Sequence, residues 1–403
     1  MTIQLPAVGA AAAALAAAAL VALLTTPVVR SLAFRVGAVD IPKDSRRMHD
    51  HPIPRMGGLA IFFGFLLSVL IFLPLTPQLR GMLMGGVIIV ILGIFDDIFA
   101  LPALPKLLVQ IGAALVAVLH GNVIQVLSNP NIFSSDLYWD LGFLSVPITV
   151  VWIVGITNAV NLIDGLDGLA CGVSTISSMT LLVIALRLAE PDVAILTAAL
   201  AGGCLGFLPY NLNPAKIFMG DTGSTFLGFI LAVVSIQGLF KFYTIISFAV
   251  PFLMLGLPIF DTCFAIIRRL AKGQSPMAPD RGHIHHRLID MGFSQKQAVA
   301  TLYVISAILG LSAVVLTTIG VLRAMLFLLA LCLAGGVAAK IFLSHNAPPA
   351  AGGNGNAHRR PAAGERQTRR PAGGRASGRD RRPERTQIAG NDNFFGEEDR
   401  SEK

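Results

Sequence analysis

The sequence predicts an all-α polytopic membrane protein, and three observations carry that expectation. Of the 403 residues, 54% are hydrophobic and only 13% are charged, against roughly 45–50% apolar and about 25% charged in soluble domains. Apolar runs of spanning length recur along the chain; a hydrocarbon core about 30 Å thick needs about 20 such residues in a helix, whose backbone groups pair internally. Finally, Lys and Arg gather on alternate loops between those runs.

Taken in order, the runs place helices near 7–29, 56–75, 82–99, 104–120, 144–163, 168–187, 192–209, 225–240, 243–267, 297–319 and 322–343, about eleven spans in one bundle. The first is Ala-rich, but no Lys or Arg precedes it. A signal peptide opens with a basic segment, so this run is expected to be a retained helix. Fourteen Lys and Arg, from Arg30 to Lys296, lie in loops after odd-numbered helices; only Arg80, Arg187, Lys241 and Arg323 lie after even-numbered ones. By the positive-inside rule the N-terminus is outside and the C-terminus inside, and loop 121–143, without Lys or Arg, faces out.

Residues 1–345 form the expected integral-membrane domain, and 346–403 a Gly/Pro/Arg-rich tail that is too poor in large apolar residues to fold and is expected to be disordered in the cytoplasm. The tail runs from a basic middle, Arg359–Arg385, to an acidic end at Glu397–Asp399. The formal charge of +8 reflects topology and this tail. Without interleaved aromatic residues for base stacking, the tail does not read as a nucleic-acid site, and no nucleic-acid partner is expected. Cys171, Cys204, Cys263 and Cys332 are scattered in apolar runs and read as small hydrophobes.

The unusual polar residues all fall at predicted cytoplasmic helix ends or in the loops beyond them. Asp96 and Asp97 end the third helix, and adjacent carboxylates need a cation, a shared proton or solvent. Lys106 follows in the short loop and suits a phosphate oxygen, or a plain topological anchor. The run Asn158 to Asp167 holds Asn161, Asp164 and Asp167 at a spacing of three, on one face if helical. Asn211 to Ser224 opens the eighth helix, where free N–H groups form a natural phosphate seat and Asp221 could hold a metal; simple helix capping is the plainer alternative. Arg281, His283, His285 and His286 crowd one cytoplasmic loop. With no Cys beside them, and with carboxylates and amides elsewhere, hard oxygen ligation of Mg²⁺ is favoured over Zn²⁺, leaving the His and Arg side chains as donors to phosphate. Carboxylates at membrane depth are expensive and usually functional, so their convergence marks a site.

Together these strings resemble the polyprenyl-phosphate N-acetylhexosamine-1-phosphate transferase superfamily, glycosyltransferase family 4. The resemblance covers about residues 1–343 and rests on Asp40-Ile-Pro with Arg46, Arg47 and His49, then Pro54 and Gly57-Gly58; Asp96-Asp97 with Lys106; Asn158–Ala170; Asn211–Ser224; and Asp261 through His283-Ile-His-His-Arg-Leu288. The His string resembles the branch that primes envelope polysaccharides such as O-antigen or teichoic acid. The branch transferring phospho-MurNAc-pentapeptide for peptidoglycan is the enzyme alternative. The resemblance implies transfer of N-acetylhexosamine 1-phosphate, GlcNAc foremost, from a UDP-sugar to undecaprenyl or another polyprenyl phosphate, with release of UMP. It implies a bacterial inner-membrane enzyme, surrounded by membrane lipids, with a cytoplasm-facing site, and leaves room for a homodimer.

Residue by residue, it implies Asn161 and Asp221 as ligands of Mg²⁺, with Mn²⁺ as a substitute. Lys106 would hold a diphosphate oxygen; Asp96 and Asp97 would orient or deprotonate the lipid phosphate. Asp164, placed among the catalytic residues, would shape the nucleotide-sugar pocket with Asp167 and Asn211, and Asn158 would bind substrate. His283, His285, His286 and Arg281 would bind phosphate or sugar, with His283 counted among the catalytic residues. A membrane transporter is the rival from another class, but it would place acids at mid-helix and at both entrances.

The Lys and Arg asymmetry generates the first prediction. Reporter fusions are expected to read cytoplasmic at about residue 290 and at the C-terminus; a periplasm-active reporter working at either point would overturn both the topology and the site.

Overall fold

The computed structural model describes residues 5–41, 51–128, 138–238, 246–275 and 282–319. Along these the chain forms α1 (Leu5–Val36), α2 (Gly58–Phe72), α3 (Pro77–Phe99), α4 (Ala103–Leu119), α5 (Ser145–Leu162), α6 (Leu169–Arg187), α7 (Pro191–Asn211), α8 (Gly220–Gly238), α9 (Ile246–Met254), α10 (Gly256–Ala271), α11 (Ile284–Asp290) and α12 (Gln295–Ile319). Two short antiparallel pairs, Val39–Asp40 with Ile53–Pro54 and Val126–Ser128 with Tyr138–Asp140, complete the regular structure. Among the described residues six helical stretches are long and apolar enough to cross a bilayer, and α2 and α4 are shorter apolar helices. The chain is therefore a multi-pass membrane protein.

Most predicted spans reappear with shifted ends. α1 continues to Val36, and α3 begins at Pro77, where the Thr76 hydroxyl accepts the Leu79 N–H at 3.2 Å and proline occupies a position whose missing N–H is harmless. α8 begins at Gly220 instead of 225, which brings Asp221 into its first turn. The predicted span 243–267 is two helices, because Pro258 has no N–H to give to the Met254 carbonyl one turn back. That carbonyl accepts the Ser177 hydroxyl of α6 at 2.8 Å instead. α11 is an additional short helix inside the expected cytoplasmic loop. The eleventh span, 322–343, and the tail 346–403 lie outside the described residues.

α8 is the axis of the packing. All of its residues except Asp221 and Gln237 are buried, and α2, α3, α5, α6 and α7 lie against it. The approach is close because small residues meet there: a Cβ on Gly58 would stand 2.0 Å from Gly223 Cα, one on Gly93 2.4 Å from Thr222 Cα, and one on Gly228 2.7 Å from Thr157 Cα. Lipid tails are as apolar as leucine, so bilayer helices associate through such close packing and through polar contacts. Phe62 and Phe65 of α2 fill the flank, each edge-on to Phe226.

Gly93→Val is expected to push α3 off α8 and lower the detergent melting temperature by several degrees, an overpacking cost of about 1–3 kcal/mol. Gly112→Ala, where an added Cβ meets nothing within 4 Å, is expected to leave it unchanged or slightly higher; equal behaviour of the two variants would refute this account of the packing.

Candidate active site

Successive helices run up and down, and this brings the polar strings to one end of the bundle. Asp96 and Asp97 stand in the last turn of α3, Lys106 in the first turn of α4, Asn158 and Asn161 in the last turn of α5, Asn211 at the end of α7 and Asp221 in the first turn of α8. The segment before α2 joins them: Gly57 and Gly58 donate their N–H groups to the carbonyls of Phe218 and Met219, both at 2.9 Å.

At the centre is Lys106. Its Nζ lies 2.7 Å from Asp96 Oδ2 and 3.3 Å from Asp221 Oδ2, so one ammonium joins α3, α4 and α8. The other Asp96 oxygen accepts the Leu101 N–H at 2.7 Å, which sets the turn between α3 and α4. Asp96, Lys106, Gln110, Asn158, Asn161, Asp221 and Thr225, with Leu92 and Gly93, line one open cleft. Asn161 donates Nδ2 to Ser224 Oγ at 2.9 Å, leaving its amide oxygen for another partner. Asn158 is braced by Gln110 Oε1 at 2.6 Å and by the Val154 carbonyl at 2.8 Å.

Asp97 turns elsewhere. Its buried carboxylate accepts the N–H groups of Asp221 and Thr222 at 2.9 and 3.1 Å and the Thr222 hydroxyl at 2.7 Å, beneath the first turn of α8. Arg55 stands over this corner, with Nε 3.4 Å from Asp97 and Nη2 3.9 Å from Asp221.

The remaining predicted residues lie around this centre. Asp164, half-buried in the loop after α5, has its carboxyl pushed up to about 8, first by burial and then by the negative charge of Asp221, with Arg55 pulling the other way. Asp167 accepts from Asn213 Nδ2 and the Ala215 N–H at 2.9 and 3.0 Å, tying down the loop before α8. Asn211 donates to the Ile217 carbonyl at 3.1 Å in the same loop, and its own amide oxygen is buried with no protein partner.

In the His string, His283 Nδ1 pairs with Asp261 Oδ2 at 2.8 Å, and the other Asp261 oxygen caps α11 through the Ile284 N–H at 2.8 Å. His285 is buried against Gly165: a Cβ on that glycine would stand 2.2 Å from its Nε2. Burial, and then the neighbouring His286, push the His285 imidazole down to about 4, so it is neutral at pH 7. His286 is half-buried, its ring 4.3 Å from that of His285. Arg281 lies outside the described residues. The His string thus backs the Asn158–Asp167 loop, with His285 packed against Gly165.

Sequence reasoning gave Arg55 only a topological role, read Thr222 only as a possible helix cap, and passed over Gln110. Arg55 carried one available signal, its place between Pro54 and Gly57-Gly58. The oxygens available to a hard cation in the cleft are the Asp221 and Asp96 carboxylates and the Asn161 amide oxygen. Among the described residues no group of three or more His, Cys, Asp or Glu forms a ready cation cage. Mg²⁺ typically takes one or two carboxylates and completes its shell with water and substrate phosphates, so this donor set suits it.

Fold and site together define a multi-pass membrane protein with a carboxylate- and lysine-lined cleft at one end of its helix bundle. The family model for glycosyl transferase family 4 matches residues 79–239, the stretch that carries Asp96, Lys106, Asn161 and Asp221. A Bacillus subtilis protein named "Probable undecaprenyl-phosphate N-acetylglucosaminyl 1-phosphate transferase" is 46% identical, over 74% of this chain and 82% of its own. A Mycolicibacterium smegmatis decaprenyl-phosphate N-acetylglucosaminephosphotransferase is 37% identical, over 73% and 79%. An Escherichia coli O157:H7 undecaprenyl-phosphate alpha-N-acetylglucosaminyl 1-phosphate transferase is 30% identical, over 73% and 78%. The chain belongs to glycosyltransferase family 4.

The raised Asp164 carboxyl has a consequence for stability. Because its folded value of about 8 lies above the ordinary 3.8, folding takes up a proton, and the associated stability is lost as pH rises through about 8. In EDTA, Asp164→Asn is expected to melt higher than the parent protein at pH 8, the gap closing toward pH 4. A pH-independent gap would refute the assigned environment.

Proposed function

We propose that this protein transfers N-acetylglucosamine 1-phosphate from UDP-GlcNAc to undecaprenyl phosphate, releasing UMP, at the cytoplasmic face of a bacterial inner membrane. The observation that carries this reading is the shared Lys106 ammonium between Asp96 and Asp221, in a cleft with Asn161 at the N-terminus of a buried helix. Phosphoryl transfer asks a protein mainly to position charged oxygens and to neutralise them. A cleft with one cation, two carboxylates and three amide side chains offers those functions, and the three relatives described above are named as N-acetylglucosamine phosphate transferases acting on undecaprenyl or decaprenyl phosphate. The fourteen-to-four asymmetry of Lys and Arg supports the cytoplasmic orientation.

In the reaction, an oxygen of the lipid phosphate forms a bond to the β-phosphorus of the UDP-sugar. The bond from that phosphorus to the bridging oxygen breaks, and UMP leaves with the electron pair. Lys106 holds a diphosphate oxygen and moderates the charge that gathers on it. Asp96, fixed by Leu101 and Lys106, faces the lipid phosphate and orients it. A polyprenyl phosphate is already ionised at intracellular pH, so direct displacement needs no strong base. Asp221 and the amide oxygen of Asn161 would hold Mg²⁺, or Mn²⁺ in its place, which neutralises phosphate oxygens when bound. The loop pinned by Asp167 and Asn211 and the loop backed by His285 form the flanks open to the nucleotide-sugar.

The test is turnover by purified protein given undecaprenyl phosphate, Mg²⁺ and a panel of UDP-sugars, read as UMP release. UDP-GlcNAc is expected to be the preferred donor, and Asp221→Ala to abolish release. Preference for a peptide-bearing donor, or full activity of the alanine variant at low Mg²⁺, would overturn the reading.

A further inference from the structure

Asp96 and Asp97 are sequence neighbours, but successive helical residues point about 100° apart, and here the difference separates two jobs. Asp96 lines the cleft. Asp97 does not: its side chain has no exposed surface, and its hydrogen bonds and its ion pair run to α8 and Arg55.

The first turn of a helix has N–H groups without intrahelical partners, and a side chain just before the helix usually takes them. α8 starts at Gly220, which has no side chain and sits at φ +73°, and a Cβ there would stand 2.3 Å from Asp97 Oδ2. The cap therefore comes from α3. One Asp97 oxygen takes the Asp221 N–H and the other takes both donors of Thr222, across more than 120 residues of sequence. Arg55 compensates the buried charge, and its own segment is fastened to the same loop, with Phe218 donating to the Pro54 carbonyl at 2.9 Å.

We propose that Asp97 is a positioning residue: its carboxylate, neutralised by Arg55, fixes the backbone of Asp221 and so aims the Asp221 carboxylate into the cleft, without touching the lipid phosphate. The proposal rests on the reading of the cleft as a metal-assisted phosphoryl-transfer site. It reassigns Asp97 from the role that the resemblance implies, because the carboxylate is sealed beneath α8.

A group that orients a metal ligand changes metal affinity, typically by about 10- to 100-fold when removed. A group that acts on the lipid phosphate changes catalysis at saturating metal. Asp97→Asn places an NH₂ group against backbone donors, and Thr222→Val removes one donor with no change of charge. Mn²⁺ binding to the purified full-length protein, followed by electron paramagnetic resonance without substrate, is expected to weaken about 10-fold or more in Asp97→Asn and less in Thr222→Val. The Mg²⁺ concentration for half-maximal UMP release should rise in step, added Mg²⁺ should recover much of kcat, and the KM for undecaprenyl phosphate and the pH profile should stay as in the parent. Wild-type Mn²⁺ affinity in Asp97→Asn, with kcat lost at saturating Mg²⁺ or a raised lipid KM, would overturn the proposal. If Asp97→Asn does not fold, Thr222→Val decides alone: unchanged Mn²⁺ affinity refutes the proposal, and weakened affinity with metal-rescued kcat supports it. Asp221→Ala separates the two levels, since undiminished Mn²⁺ binding there would remove the metal reading itself, whatever Asp97 does.

Discussion

Two cations, Lys106 and Arg55, stand among three carboxylates, Asp96, Asp97 and Asp221, at the start of a helix that is otherwise almost wholly buried. Charges so close to a bilayer persist only when they are paired or functional. The arrangement around the first turn of α8 satisfies the first condition, and much of the surrounding structure follows from it. α2, α3 and α5 come near enough to deliver Arg55, the two aspartates and Asn161 because Gly58, Gly93, Gly223 and Gly228 remove the side chains that would keep the backbones apart. Packing density and site geometry are therefore one constraint at this end of the molecule.

Around that centre lies a ring of residues that hold loops. Asp167 and Asn211 pin the 213–217 segment, Asp261 with His283 pins the start of α11, and His285 presses on Gly165 beside Asp164. Each is polar and suggestive in sequence, and all but His285, which acts by packing, spend hydrogen-bonding capacity on the protein itself. A cleft that must accept a charged donor beside a membrane needs rigid walls, because displacements of about 1 Å can cost about 10²-fold in rate. The structure thus divides groups that line the cleft, Lys106, Asp96, Asn161 and Asp221 among them, from groups that brace its surroundings.

The break between α9 and α10 shows the same economy of polar groups in the apolar part of the bundle. Pro258 frees the Met254 carbonyl, and Ser177 of α6 accommodates it. An unpaired carbonyl in hydrocarbon would be several kcal/mol unfavourable, so a broken helix is tolerated where a neighbour supplies a donor. The local sequence signals the proline, but the donor that makes the break tenable comes from another helix.

Composition and apolar runs by themselves determined that this is a helical, multi-pass membrane protein, because bilayer thickness and the demand for internal backbone pairing leave few other solutions. They also marked Asp96, Lys106, Asn161 and Asp221, since charged and amide residues are conspicuous in apolar sequence whatever their contacts. Only the tertiary structure decided which of these share a cleft. It turned Asp96 toward Lys106 and Asp97 beneath α8, drew Arg55 from a topological marker into the charge cluster, and buried His285 where it stays neutral. Those outcomes depend on helix rotation, on glycine-permitted approach and, where Arg55, Asp97 and Lys106 meet Asp221, on partners more than 100 residues apart. Such pairings leave no mark in local spacing, because they come into being only when the helices pack.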